Sequence, residues 1–291
     1  MLQVLFSLLF LLALAPGLQA APSELPSAAD APVERPRIAI ILDDLGYNRP
    51  AGERALQLPG QVTYAIIPFT PYAATMARAA HGGEREVILH LPMASQDPER
   101  RLDRGGLTDD MDEAEVRSRV QQALRAVPHI AGLNNHMGSQ ITADVQIMHW
   151  LMQEVQETPL YFIDSMTSSL SVANQSALHY QIPSLKRDVF LDNVQTPEAV
   201  DQMFQSLLRI ARRRGHAIAI GHPYPTTLAY LEQALPRLQQ QGVELVAASE
   251  LVQQYGQPVY EPVDLKQLMR QIVAMPAPRS SRLNFSETAF P

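Results

Sequence analysis

Residues 37–46 read RIAIILDDLG, an unbroken apolar run that ends in two carboxylates and a glycine. An apolar run of this length without polar alternation is typical of a parallel strand that is covered on both faces. In folds built from such strands, functional groups gather where the strands end and the loops begin. The stretch therefore predicts a buried first strand with Asp43 and Asp44 at its carboxyl end.

Similar short apolar runs recur along the chain, and amphipathic segments separate them. This alternation argues for βα units and a parallel sheet. About seven such units in one α/β domain predict a closed or nearly closed barrel, with a doubly wound open sheet as the alternative. Residues 184–190 are a weaker strand candidate. The remaining predicted strands cover residues 62–67, 86–91, 130–133, 160–163, 217–220 and 243–246.

Two of the predicted helices show clear signals at their ends. Thr196 before Pro197 combines a capping hydroxyl with a proline in the first turn, and Gly215 marks the end of that helix. A stripe of leucines within residues 228–238 predicts another helix, kinked at Pro236.

Both ends of the chain differ from this middle part. Residues 1–20 have an apolar run over residues 5–15 and a small residue at the end, the layout of a secretory signal. The run is short for a bilayer span, which favours a cleaved signal, no stable membrane span afterwards and a periplasmic or secreted protein. Residues 21–36 predict a flexible Pro/Ala-rich linker, 37–257 the folded domain, and 258–291 a Pro-rich, largely disordered tail.

Composition excludes several classes of chemistry. The chain has no cysteine, so disulfides, a thiol nucleophile and thiolate metal ligands are ruled out. The formal net charge is −7, and no basic patch points to a nucleic-acid partner. A domain of roughly 220 residues is large enough to build its own core without disulfides.

Three histidines follow predicted strands, as the aspartate pair does. His90 lies within the run VILHLPM, two residues before Pro92. His136 lies in the polar cluster of residues 134–139 (NNHMGS), and His222 stands between glycine and proline. Each has an ordinary structural interpretation when taken alone: a buried core histidine, a loop of turn formers and a turn. Because carboxyl ends of parallel strands share one edge of a sheet, the three together predict a common site.

The set Asp44, His90 and His136 has the composition of a metal site with two histidines and one carboxylate. Such a site suits Zn²⁺, with Fe²⁺, Mn²⁺, Co²⁺ and Ni²⁺ left open. Further strand-end candidates for substrate binding are two polar residues of the NNHMGS cluster and three charged residues. Arg187 could hold a carboxylate ionised or form a structural ion pair. These candidates are Asn135, Ser139, Asp164, Arg187 and Asp188.

Six short segments follow one another along the chain: ILDDLG, LHLPM, GLNNHMGS, FIDSMTS, RDVF and GHP. In this order they resemble the divergent polysaccharide deacetylase family. That family is a relative of the NodB-type deacetylases of carbohydrate esterase family 4. The resemblance covers roughly residues 37–255. It implies a distorted (β/α)7 barrel and metal-dependent deacetylation of a cell-envelope polysaccharide, either peptidoglycan or an exopolysaccharide.

The resemblance also implies roles for individual residues. In NodB-type enzymes the first aspartate of the pair is the general base and the second binds the metal, which implies these roles for Asp43 and Asp44. His222 matches the catalytic acid. In the proposed hydrolysis, Asn135 or backbone amides near Gly138 would stabilise the oxyanion.

Two departures from the family pattern stand out. His90 matches the first of two motif histidines, but Ala94 stands where the second is expected, and His136 is the predicted substitute. The Arg-Pro-Pro-Tyr segment of the true deacetylases is absent, and residues 134–139 occupy its place. The missing histidine keeps open a non-catalytic envelope protein that binds a glycan or a protein, and it leaves His222 as the alternative to His136 as third metal ligand. A glycosidase using Asp43 and Asp164 is a further alternative.

Overall fold

The computed structural model describes residues 35–257; the predicted signal and tail and nearly all of the predicted linker lie outside that range. Within it, no helix has the length and apolar character needed to cross a membrane. The strands are β1 (Arg37–Leu45), β2 (Thr63–Ile66), β3 (Val87–Met93), β4 (Ile130–Met137), β5 (Tyr161–Asp164), β6 (Ser184–Lys186), β7 (Val189–Phe190), β8 (His216–Gly221) and β9 (Glu244–Leu245). The helices are α1 (Arg49–Ala55), α2 (Ala73–Gly82), α3 (Glu113–Ala126), α4 (Val145–Gln156), α5 (Ala173–His179), α6 (Pro197–Arg214), α7 (Pro225–Ala234) and α8 (Ala248–Tyr255).

The strands form one parallel sheet in the order β6-β5-β4-β3-β2-β1-β8-β7, and β9 pairs with β1. The sheet curls into a half-barrel surrounded by helices, with one apolar cluster between sheet and helices and a second one inside the curl. The edge strands β6 and β7 are consecutive in sequence, and among the described residues no ladder joins them. The predicted distorted (β/α) barrel is confirmed, and the doubly wound open sheet is wrong.

Strand alternation decides which side chains enter the barrel. Ala39 and Ile41 of β1 belong to the inner cluster, whereas their neighbours pack outward against the helices. Because side chains alternate with a period of two, the next inward position on β1 is Asp43. On β3 the inward Ile88 is followed in the same way by His90. The alternation that places apolar side chains inside the barrel thus also places Asp43 and His90 at its open end, which we call the mouth.

Helix α8 closes the other end of the barrel. Its Leu251 belongs to the inner cluster. At its start, Ala248 N donates to Thr63 Oγ1 over 3.0 Å and Ser249 N donates to Glu86 Oε1 over 3.2 Å. These bonds satisfy backbone N–H groups that a helix start leaves without partners. The inner space therefore opens at the carboxyl ends of the strands.

Three local expectations need correction or refinement. Strand β4 continues to Met137, so most of the NNHMGS cluster lies in a strand paired with β3 and not in a loop. The weak candidate at 184–190 divides into the two edge strands β6 and β7. The helix expected to continue through Pro236 ends at Ala234, because proline lacks the N–H that the next turn needs, and a short 3₁₀ turn follows.

The signals at the ends of α6 are confirmed. Thr196 Oγ1 accepts a hydrogen bond from Ala199 N at 3.3 Å, and Pro197 occupies the first turn. Gly215 ends the helix with a φ of 90°, a left-handed conformation that glycine adopts without steric cost.

Candidate metal centre

The aspartate pair reaches the barrel mouth through a break in the regular strand. Pairing between β1 and β2 shifts register between Leu42 and Leu45, and Asp44 has a φ of 61°. A bulge of this kind re-aims side chains that strict alternation would send to opposite faces. Gly46 follows with a φ of 123°, and a Cβ there would lie 2.1 Å from Thr70 Oγ1. The conformation and the close contact together explain the glycine of the DDLG sequence.

Asp44, His90 and His136 converge on one point. Asp44 Oδ1 lies 3.2 Å from His90 Nε2 and 2.9 Å from His136 Nδ1. The two imidazole nitrogens are 3.0 Å apart. The three atoms therefore form a compact triangle, one corner from each of three strands.

This triangle fits a divalent cation. Ligand bonds of about 2.0–2.1 Å in tetrahedral geometry separate neighbouring ligand atoms by about 3.3 Å, close to the spacing seen here. Asp44 Oδ1 is buried and has no hydrogen-bond donor in acceptable geometry, although a buried carboxylate oxygen needs a partner. Three protein ligands with an open fourth position are the pattern of catalytic zinc sites.

Asn134 orients both His90 and Asp43. Its Oδ1 lies 2.8 Å from His90 Nδ1, and its Nδ2 donates to Asp43 Oδ1 over 2.9 Å. Because Nδ2 must be the donor to a carboxylate, Oδ1 is the acceptor, and His90 carries its proton on Nδ1. The lone pair of His90 Nε2 is then directed at the point of convergence, as metal ligation requires.

The charges of the cluster stabilise one another. Burial tends to raise the pKa of Asp44, but its contacts with His136 and His90 outweigh burial and hold the pKa well below the usual carboxylate value. Burial tends to lower the pKa of His136, but the carboxylates of Asp103 and Asp44 raise it to about 9. The site thus has a negative field that favours a cation, whether a proton or a metal ion.

Asp43 lies beside the cluster and is almost completely buried, with 3% of its surface exposed. Its Oδ2 is 3.5 Å from His90 Nε2. Burial raises the pKa of Asp43, opposed by the charges of His90 and His222 and by the hydrogen bond from Asn134. A carboxylate with a raised pKa is better matched to taking up a proton near neutral pH.

His222 faces the cluster from β8. Its Nε2 lies 3.7 Å from Asp44 Oδ2, and its Nδ1 donates to Asp192 Oδ1 over 2.9 Å. The other oxygen of Asp192 accepts the Thr227 hydroxyl at 2.8 Å and the His222 backbone N–H at 2.6 Å. Burial tends to lower the pKa of His222, but Asp192 and Asp44 outweigh burial and raise it. The imidazole is therefore held as a proton donor that points into the mouth.

Three predicted substrate-binding residues are occupied by local hydrogen bonds. Asn135 donates to Met137 O at 2.8 Å and accepts from Ser165 N at 2.9 Å. Ser139 Oγ accepts from Gln96 N at 2.9 Å. Asp164 accepts the Ser171 hydroxyl at 2.7 Å, together with the backbone N–H groups of Met166 and Asn174. These hydrogen bonds hold the three side chains in the structure around the mouth.

The Arg187-Asp188 pair lies at the seam between β6 and β7. Arg187 Nε donates to Ser165 O at 2.7 Å, and its guanidinium lies over the Phe190 ring. Burial lowers the pKa of Arg187, and the charge of Asp43 opposes this most strongly. Asp188 turns away and pairs with Arg214 at 2.6 Å. Asp43 is thus the carboxylate that most favours the charged form of Arg187, whereas Asp188 has a structural contact.

Two residues of the site were not predicted from the sequence. Asp192 follows the short strand β7, and its position after an apolar run was the available signal. Asp103 lies in the long β3–α3 loop, 3.0 Å from His136 Nε2, and only tertiary contact reveals it.

The chain is similar to proteins of a known family. Residues 40–252 match the family model described as divergent polysaccharide deacetylase. The chain is 36% identical to the uncharacterized protein YibQ of Escherichia coli over 77% of this chain and 70% of the relative, and 38% identical to an uncharacterized protein of Haemophilus influenzae over 74% and 76%. The crystal structure of the uncharacterized protein ATU2773 from Agrobacterium tumefaciens superposes with a TM-score of 0.73 at 22% identity, covering 76% of this chain and 91% of that chain, which supports the fold alone. The chain belongs to the divergent polysaccharide deacetylase family.

Proposed function

We propose that this protein is an exported, metal-dependent deacetylase that removes N-acetyl groups from a cell-envelope glycan, either peptidoglycan or an exopolysaccharide. The observation that carries the proposal is the convergence of Asp44 Oδ1, His90 Nε2 and His136 Nδ1 beside a buried carboxylate and a second imidazole. Family membership supports the glycan as substrate. The signal-like residues 1–20 support a periplasmic or secreted location.

Each residue of the site has its own part in the proposed hydrolysis. A divalent cation on the three ligands, Zn²⁺ in our proposal, would polarise the acyl oxygen and lower the pKa of a bound water. Asp43 takes the proton of the attacking water as the water oxygen bonds to the acyl carbon. The C–N bond then breaks, and His222 gives its Nε2 proton to the departing amine. The products are acetate and a free amino group, and Asp192 holds His222 in the orientation that this transfer needs.

Three metal ligands are present in this chain although one motif histidine is missing. Ala94 stands four residues after His90, where the NodB-type pattern has its second histidine. In this chain His136 of β4 approaches from the neighbouring strand, since the pairing sets Pro92 opposite His136. A ligand lost from one strand is therefore replaced from the strand beside it, which supports retained metal binding.

Elemental analysis of protein purified without added metal is the first test, followed by acetate release from peptidoglycan fragments. We expect about one divalent transition-metal ion for each chain and acetate release that a chelator abolishes. His136→Ala removes one of the three ligands and should lose both the metal ion and acetate release. A protein that carries no metal and cannot be loaded would refute the proposal.

Two other outcomes would favour the alternatives. Glycan binding without acetate release, in protein that holds metal, would support a non-catalytic binding protein. Cleavage of glycosidic bonds without acetate release would support the glycosidase. Both outcomes count against deacetylation.

A further inference from the structure

The loop between β3 and α3 brings one carboxylate to the far side of His136. Asp103 Oδ2 lies 3.0 Å from His136 Nε2, the nitrogen opposite the one that faces Asp44. The other oxygen of Asp103 accepts the hydroxyl of Tyr47, which comes from the loop after β1. The Asp103 carboxylate is therefore held between the imidazole ring and a phenol.

The segment that carries Asp103 is held by packing. Gly105 has a φ of 82°, and a Cβ there would lie 2.4 Å from the Phe69 ring, so the backbone lies directly against that ring. The end of the loop returns to its beginning, because Ala94 N donates to Leu107 O over 2.9 Å. Leu107 is completely buried. Asp103 is thus placed by a fixed backbone, as a positioning role requires.

We propose that Asp103 is a positioning residue for the metal ligand His136. It accepts the proton of Nε2, so that the lone pair of Nδ1 stays directed toward Asp44 Oδ1 and His90 Nε2. Carboxylates that orient ligating imidazoles in this way are a recurrent part of zinc sites. The inference rests on the proposed function, because it assumes that the three ligands hold a metal ion.

This role accounts for the replacement of the missing ligand. His136 is only partly buried, with 15% of its side chain exposed. Among residues 35–257, no side-chain amide contacts His136 as Asn134 contacts His90. The loop that begins at Ala94, where the motif histidine is missing, carries Asp103 to His136, so this loop supports the ligand that takes the place of that histidine.

The test compares Asp103→Ala and Asp103→Asn with Glu99→Gln, which removes the same charge from an exposed position of the same loop. Zn²⁺ affinity is measured by chelator competition. We expect Asp103→Ala to bind Zn²⁺ about 10–100-fold more weakly than the unaltered protein. Asp103→Asn keeps an acceptor and should lose less Zn²⁺ affinity. The Zn²⁺ affinity of Glu99→Gln should stay within about twofold of the unaltered protein, because Glu99 contacts none of the three ligands.

Nitrogen-15 NMR of the Zn²⁺-loaded protein provides a readout that a merely structural role would not move. We expect His136 to carry its proton on Nε2, and the exchange of that proton to accelerate in Asp103→Asn. Thermal unfolding of the metal-free variants separates loss of fold from loss of affinity; if Asp103→Ala unfolds, Asp103→Asn carries the test.

The results distinguish the two levels of the proposal. If the unaltered protein binds Zn²⁺ and the folded Asp103 variants bind it equally well with the same Nε2 proton exchange, the positioning role is overturned and the proposed function stands. If the unaltered protein binds no Zn²⁺, the proposed function fails and this inference fails with it.

Discussion

Two carboxylate oxygens at opposite ends of the barrel have different surroundings. At the closed end, Glu86 Oε1 accepts hydrogen bonds from Thr63 Oγ1 at 2.8 Å, from the Tyr161 hydroxyl at 2.8 Å and from Ser249 N at 3.2 Å. At the mouth, Asp44 Oδ1 has two imidazole nitrogens within 3.2 Å but no hydrogen bond of acceptable geometry.

The difference teaches what each end of the barrel does. Fixed neutral donors around Glu86 satisfy its charge and tie α8 to β2 and β3, so this carboxylate stabilises the fold. Asp44 has no such donors, and its charge remains available to a cation. We therefore expect substitutions at the mouth to alter chemistry above all, and substitutions at the closed end to alter stability alone.

The largest effect is expected for Asp44→Asn. The substitution removes a ligand and the negative charge that attracts the cation, so stoichiometric metal and acetate release should both be lost. The free energy of unfolding of the metal-free protein should also fall at neutral pH, because the lowered pKa of Asp44 means that the folded state favours the charged carboxylate. Metal analysis and thermal unfolding check both halves. Stoichiometric metal in the folded variant would break the comparison.

Asp43→Asn should separate metal binding from turnover. Asparagine keeps the shape of the side chain but cannot take up the proton of the attacking water. We expect a fall in kcat of about 10²–10⁴-fold with metal content unchanged, measured by acetate release and elemental analysis. Full turnover in this variant would refute the role of Asp43 as the base.

At the closed end, Leu251→Ala should act on stability. Leu251 is completely buried in the inner cluster, and its truncation should lower the free energy of unfolding by about 2–5 kcal/mol. Urea denaturation of the metal-free protein measures this. Zn²⁺ affinity of the folded variant should match the unaltered protein; a parallel loss of affinity would show that the two ends are coupled.

Glu86→Gln gives the smallest expected effect and the sharpest counterpart to Asp44→Asn. The amide retains one acceptor oxygen but loses the charge that three donors share, and the free energy of unfolding should fall by about 1–3 kcal/mol. Metal content and kcat should not change. A loss of metal without a loss of stability would reverse the assignment of the two carboxylates.

Much of the fold could be predicted from the sequence because the signals are local. Continuous apolar runs located the strands, and the threonine, proline and glycine at the ends of α6 act within one helical turn. The prediction failed where pairing decides. Strand β4 extends through Asn134 and His136 because β3 offers partners as far as Met93, and polar residues alone gave no reason to expect a strand there.

The site shows the same division. Asp44, His90 and His136 could be proposed as a set because carboxyl ends of parallel strands meet at one edge. Asn135, Ser139 and Asp164 were proposed on the same ground. The structure engages them in loop hydrogen bonds, because strand-end position alone does not say which way a side chain turns after its strand ends.

By itself, the sequence determined the apolar runs, the helix ends and the strand-end positions of the polar residues, because these depend on the preferences of neighbouring residues. Only the tertiary structure decided that β6 and β7 form the two edges, that the left-handed Asp44 turns inward and that Asp103 reaches His136. These features depend on groups that are distant in the chain. Their proximity follows from the curl and register of the sheet, which the sequence does not state locally.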